Sequence, residues 1–187
     1  DGQTGASLTL PDIAGTDAGV YSVVIRNSAG LTESAGVTVS VVQSVSIASQ
    51  PEAATVVLGG STLFQVAATG TEPISYQWSQ DGAAIADATD STLTLTSIEA
   101  TGGGEYKVTV SNAAGSVTSD TVTLSVESPP VMTELTESLS AVEGESVELS
   151  VTAVGTVPIT YQWSKGGVVL EGATRSTQSL ANVVPSD

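Results

Sequence analysis

The feature that most constrains this chain is self-similarity at a spacing of 85 residues. Tyr76-Gln77-Trp78-Ser79 returns as Tyr161-Gln162-Trp163-Ser164, and Tyr21, Asn27 and Gly30 return as Tyr106, Asn112 and Gly115. Aligned at that offset without a gap, residues 1–42 match 86–127 at 17 positions and residues 43–102 match 128–187 at 20. Together these are 37 identities over 102 positions. A fixed period of this size means that one small folded unit is reused along the chain. The phase comes from where strand-like segments begin and end. Ser46-Ile47 up to Pro51, and the segment after Pro129-Pro130, read as domain starts. Val37-Thr38-Val39-Ser40-Val41 and Val122-Thr123-Leu124-Ser125-Val126 read as domain ends. The boundaries predicted are near 42/43 and 127/128. Residues 1–42 are then the C-terminal half of one domain, 43–127 a complete domain, and 128–187 the N-terminal part of a third.

Within the complete unit the apolar period is two. Leu63–Ala67 alternates, with Phe64 and Val66 on one face. Ile74, Tyr76 and Trp78 share a face, as do Leu93 and Leu95, with Ile98 following, and then Tyr106, Val108 and Val110. Asp81-Gly82 and Gly166-Gly167 read as tight hairpin turns, Asn112–Gly115 as a hairpin loop, and Val117–Val126 as one last strand. Ser7–Leu10 and Thr177–Leu180, which correspond by the repeat, read as the same strand. Helical periodicity nowhere exceeds a turn. Seven or eight short strands in about 85 residues describe an all-β sandwich. The buried set predicted is Tyr76, Trp78, Leu93, Leu95, Tyr106, Val108 and Val110, with Val66 facing Val108 across the sheets.

The order Gly70-x-x-Pro73, Tyr76-x-Trp78, Asp81-Gly82, Leu93-x-Leu95, Gly104-x-Tyr106-x-Val108 and Asn112-x-x-Gly115 resembles the I-set branch of the immunoglobulin superfamily, over nearly the whole chain. The resemblance implies tandem immunoglobulin-like sandwiches. It also implies an inter-sheet disulfide at positions that here hold Val66 and Val108, with Val151 and Val23 at the matching places of the other copies. The chain has no cysteine, so packed valines stand where the family has a covalent staple worth about 2–4 kcal/mol. The family's Asp-x-Gly-x-Tyr corner is intact as Asp17-Ala18-Gly19-Val20-Tyr21. It has become Gly102-Gly103-Gly104-Glu105-Tyr106 in the central copy. The missing cysteines and altered motifs suggest a bacterial-type surface repeat protein.

Charge excludes further classes. Twenty acidic residues against four basic ones give a net charge of −16, which repels phosphate backbones and anionic lipid surfaces. Neither nucleic-acid binding nor membrane insertion is expected; the apolar runs, such as Val56-Val57-Leu58, are far too short to span a bilayer. Without histidine or cysteine no Ser-His-Asp or Cys-His arrangement can form. Lys107 alternates outward between Tyr106 and Val108, which argues against a covalent lysine crosslink. Asp81, Asp87 and Asp90 are the sharpest candidates for a calcium site, since hard oxygens suit Ca²⁺. Their counterparts Gly166, Gly172 and Arg175 erase the pattern, and turn aspartates are commonly turn formers. Trp78 and Trp163, together with Tyr76 and Tyr161, read as core residues rather than sugar-stacking platforms. No catalytic, cofactor or metal site is predicted, and the chain is not expected to be an enzyme.

The function this points to is structural: a stalk, surface fibre or filament segment of an extracellular or cell-surface protein. Its expected partners are neighbouring immunoglobulin-like repeats of the same or an adjacent chain. The alternative is an adhesin, or a polysaccharide-binding accessory module of a secreted protein, with a surface polysaccharide or protein as ligand.

Overall fold

The computed structural model describes residues 4–137 and 139–184, and is all-β, with two three-residue 3-10 turns as its only described helical elements. The first segment carries β1 (Gly19–Tyr21), β2 (Val24–Asn27), β3 (Gly30–Glu33) and β4 (Val37–Val39). β1 pairs antiparallel with β4, and β2 with β3. Ser7–Leu10, expected as a strand, is not one. In the central copy the matching Thr92–Leu95 is held by a strand at Thr62–Gln65, and residues 1–42 contain no counterpart of that partner.

The central copy follows with β5 (Ser46–Ser49), β6 (Ala54–Val57), β7 (Thr62–Gln65), β8 (Ala67–Thr69), β9 (Ser75–Gln80) and β10 (Ala83–Ala84). Then come β11 (Thr92–Leu95), β12 (Gly104–Asn112), β13 (Gly115–Thr118) and β14 (Val122–Glu127). One sheet runs β10-β9-β12-β14-β6 with β13 also on β12; β5 pairs with β8, and β7 with β11. The N-terminal strand thus divides at Pro51. Ser46–Ser49 lies antiparallel to β8, and Ala54–Val57 lies parallel to β14. A proline suits this switch because it has no N–H to give to either ladder.

Alternation places the core as expected along most strands. Phe64, Val66, Trp78, Leu93, Ile98, Tyr106, Val108, Val110, Val122 and Leu124 are buried, while Leu63 and Gln65 face out. Trp78 sits opposite Val108 in the β9–β12 ladder, and Tyr76 opposite Val110. Phe64 completes an aromatic cluster, with its ring centroid 6.2 Å from Trp78 and 5.1 Å from Tyr106. Two members of the expected core, Tyr76 and Leu95, are only half-buried. Leu95 is the last residue of β11, where burial tapers, and Tyr76, opposite the buried Val110, is a long side chain with a polar hydroxyl tip that favours water.

The expected single strand Val117–Val126 is two strands. Ser119 interrupts it: its N–H donates to the Val108 carbonyl at 2.9 Å and its Oγ accepts the Val108 N–H at 3.0 Å. Both backbone groups of Val108 are taken by one residue, so the next ladder pair is displaced and the strand resumes at Val122. Ser34 treats Val23 in the same way in the first segment.

The third segment carries β15 (Val131–Leu135), β16 (Val147–Val154), β17 (Ser164–Lys165), β18 (Val168–Val169) and β19 (Thr177–Leu180). The strand order is β15-β16-β19, with β17–β18 a separate hairpin. Compactness divides the described chain into two units, and the division runs through the central sheet rather than along the repeat. One holds residues up to 52, 63–93 and 105–122; the other holds 53–62, 94–104 and from 123 onward.

Candidate functional site

The three aspartates singled out as calcium ligands have three different local roles. Asp81 and Gly82 are the two central residues of the β9–β10 hairpin, with φ of 50° and 85°. Positive φ at both positions is the mirror-type turn that matches strand twist, and it favours Asp-Gly or Gly-Gly. The equivalent Gly166 and Gly167 have φ of 56° and 83°. Asp81 also closes the hairpin against β12. Its N–H donates to the Glu105 carbonyl and its Oδ1 accepts the Glu105 N–H, both at 2.8 Å. Asp87 holds a left-handed residue at φ 60°, with its carbonyl accepting the Thr89 N–H. Asp90 offers its backbone carbonyl to the Trp78 indole N–H at 2.9 Å. Among the described residues no three carboxylates converge on a common point.

The aromatic residues divide by copy. Trp78 is 0% exposed and presents no face to a sugar. Trp163 has the same indole hydrogen bond, to the Arg175 carbonyl at 2.8 Å, but is only half-buried, as is Tyr161. The two residues expected as core in the third copy therefore line an open apolar groove of about 370 Å³ with Met132, Leu135, Val151 and Ile159. Val66 and Val108, at the family's disulfide positions, are 2% and 0% exposed. Two branched apolar side chains buried to that degree contribute about 1.5–3 kcal/mol each by transfer, comparable to the absent cystine.

At the tyrosine corner of the first segment, Tyr21 Oη donates to the Asp17 carbonyl at 2.7 Å, and the Asp17 carboxylate accepts the Ala14 N–H at 2.8 Å. In the central copy Gly102 stands in place of Asp17. The 3-10 turn persists without the carboxylate, closed by the Gly102 N–H on the Glu99 carbonyl at 2.9 Å. A β-carbon on Gly102 would come within 2.9 Å of the Ile98 side chain, so a side chain there would have to displace a buried isoleucine. Tyr106 is buried; burial raises its phenol above the usual tyrosine range, with the nearby Asp81 carboxylate adding to the effect.

One cluster went unread in the sequence. Asn112 does more than turn the β12–β13 hairpin. Its Oδ1 accepts the Ala114 N–H, while its Nδ2 donates to the carbonyls of Gln43 at 2.7 Å and Thr71 at 2.9 Å. Gln43 and Thr71 are bonded to each other as well, Gln43 N–H to Thr71 Oγ1 at 2.8 Å and Thr71 N–H to the Gln43 carbonyl at 3.1 Å. The signal available was identity across the repeat, since Gly70-Thr71 returns as Gly155-Thr156.

Antiparallel strands with one buried face, an indole buried against Phe64, and a first strand that changes sheets define an immunoglobulin-like β-sandwich that dispenses with its cystine. Comparison with known proteins agrees. Residues 45–126 match the Immunoglobulin I-set domain, and this stretch is an I-set immunoglobulin domain. The chain is 31% identical, over 97% of its length, to the mouse basement membrane-specific heparan sulfate proteoglycan core protein, of which it spans 5%. It is also 31% identical over 68% of its length to endoglucanase C of Cellulomonas fimi, of which it spans 12%. Among solved structures it is similar to the I-band fragment I67-I69 from titin. The TM-score is 0.80 at 22% identity, covering 94% of this chain and 68% of that one, a likeness of fold. No described helix is long and apolar enough to cross a membrane.

Proposed function

We propose that the chain is a structural spacer, a load-bearing segment of a stalk, surface fibre or filament built from tandem immunoglobulin-like repeats. The observation that carries this reading is the parallel pairing of β6 with β14, Leu124 against Ala54 through Glu127 against Val57. These strands stand near the two ends of the central domain, residues 43–127. Tension along the chain pulls them in opposite directions along their length. The ladder is then loaded in shear, with its hydrogen bonds strained together instead of unzipped one by one. The Leu58 N–H on the Glu127 carbonyl at 2.7 Å extends the same patch. The longest strand of the domain, the nine residues of β12, spans roughly 30 Å at ~3.3 Å per residue, so reach grows with repeat number. The net charge of −16 keeps neighbouring rods apart. An extracellular or cell-surface location, and association with neighbouring repeats, belong to the same reading. The cysteine-free core is compatible with a bacterial-type parent.

Pulling the whole chain by its ends tests this. The expected trace has one resistant step that releases about 28–31 nm, the contour of 85 residues at ~3.3–3.6 Å each, less the length the folded domain already spans. A chain that extends smoothly, with no resistant step, contradicts the load-bearing role. The similarity to a bacterial endoglucanase favours a second reading, an accessory module of a secreted enzyme or an adhesin. Retention of the chain on an insoluble polysaccharide would support it.

A further inference from the structure

We propose that the joint between the central and third sandwiches has no linker, and that its only soft point is the peptide between Glu127 and Ser128. Glu127 is the last residue of β14, in register with Val57, and its carbonyl accepts the Leu58 N–H at 2.7 Å. It belongs to the sandwich behind it. Ser128 belongs to the sandwich ahead. Its N–H donates to Thr156 Oγ1 at 2.7 Å and its carbonyl accepts the Thr156 N–H at 2.9 Å. Pro129 and Pro130 then fix two successive φ angles, and they lie directly against Gly155. A β-carbon on Gly155 would come within 2.9 Å of Pro130 Cα and 3.0 Å of the Pro129 carbonyl oxygen. Four consecutive residues are thus held, one by the preceding domain and three by the following one. The hinge reduces to ψ of Glu127 and φ of Ser128, and turning either one strains a bond, the Glu127 carbonyl to Leu58 N–H or the Ser128 N–H to Thr156 Oγ1.

The forward half of this clamp recurs at the earlier boundary, which makes it a property of the repeat rather than of the two prolines. Gln43 and Thr71 exchange the same pair of hydrogen bonds, at 2.8 and 3.1 Å. Gly70 lies under Val45 as Gly155 lies under Pro130, with a β-carbon meeting Val45 Cα at 3.0 Å. In both copies the clamped residues are 28 apart. Asn112 reinforces the first clamp through its bonds to the Gln43 and Thr71 carbonyls. An array joined this way bends about single peptides instead of coiling through flexible segments. The inference stands on these bonds and not on the spacer reading, since a stiff joint would equally hold an adhesive tip away from a surface.

Because the chain has no cysteine, Ser116→Cys and Ser164→Cys, both at exposed positions, accept a pair of spin labels without background. The expected distance distribution is narrow. Inserting Gly-Ser after Glu127 broadens it by several ångströms, as a flexible chain wanders about 5–6 Å × √n for n residues. Thr156→Val broadens it too, whereas Thr156→Ser, which keeps the hydroxyl, leaves it narrow. An unmodified joint as broad as the insertion variant overturns the proposal. In the unlabelled chain, protected amides at Ser128 and Thr156 support it, and exchange there at the rate of unstructured peptide overturns it. The pulling experiment reads a different quantity: a broad joint with a resistant step would sink this inference and leave the spacer standing.

Discussion

The central and third copies are built alike around their tryptophans and differ in what lies over them. Trp78 and Trp163 each donate an indole N–H to a carbonyl 12 residues ahead. Each backbone N–H also bonds an alanine carbonyl at 3.0 Å, of Ala88 and Ala173 respectively. Gln77 and Gln162 bridge the same two carbonyl positions, the second at 2.8 Å in both. Yet Trp78 is fully buried and Trp163 is not. The aromatic partner Phe64 is replaced by Leu149, and residues 128–187 contain no counterparts of β12 and β14. Local hydrogen bonds are therefore set by each copy's own sequence, while burial depends on strands contributed from far along the chain.

The largest expected effect follows from that difference. Trp78→Ala costs about 3–5 kcal/mol through the cavity it leaves, read from denaturant unfolding of the central domain. Trp163→Ala costs well under half of that, because much of its surface is already wet. Equal losses would break the comparison. A smaller effect separates the first and central copies at the strand interruption. Ser119→Ala strands the buried Val108 N–H and costs about 1–3 kcal/mol, whereas Ser34→Ala, at an exposed position, costs a few tenths.

Smaller again is the alkaline limb. Tyr106 has its pKa raised in the folded state by burial and then by Asp81. Its contribution is complete below the unfolded tyrosine value of about 10 and is lost as pH rises beyond it. A pH series of melting temperatures should fall above that point, and Tyr106→Phe should flatten the fall. An unchanged slope would assign the limb to other groups. The smallest effect expected is that of a chelator. Because Asp81, Asp87 and Asp90 do not converge on a common point among the described residues, chelation should shift the melting temperature by no more than about a degree, whereas binding at a real site would stabilise by several kcal/mol at saturating metal.

The alternation of Phe64 and Val66 against Leu63 and Gln65, and of Tyr106, Val108 and Val110, carried the core in plain view, because a strand with one buried face must repeat every second residue. The turns at Asp81-Gly82 and Gly166-Gly167 were legible for a similar reason, since few residues tolerate their φ. The Ser119 interruption and the Thr71 and Thr156 clamps were not. Each is a side chain bonding backbone 11 or 28 residues away, which leaves no period in the sequence. Only the identity of Ser34 with Ser119, and of Gly70-Thr71 with Gly155-Thr156, marked those positions as doing one job repeatedly. Tyr76, Leu95 and Trp163 were placed too deep because alternation gives the side a residue faces, not how far the covering strands extend.

The two tryptophans are the chain's only ones, so fluorescence reads both copies directly. In Trp163→Phe, the remaining Trp78 should emit at short wavelength and resist acrylamide quenching. In Trp78→Phe, Trp163 should emit further to the red and quench readily. A red-shifted, readily quenched Trp78 in a folded chain would contradict the strand phase, the buried core and the immunoglobulin-like sandwich built on them.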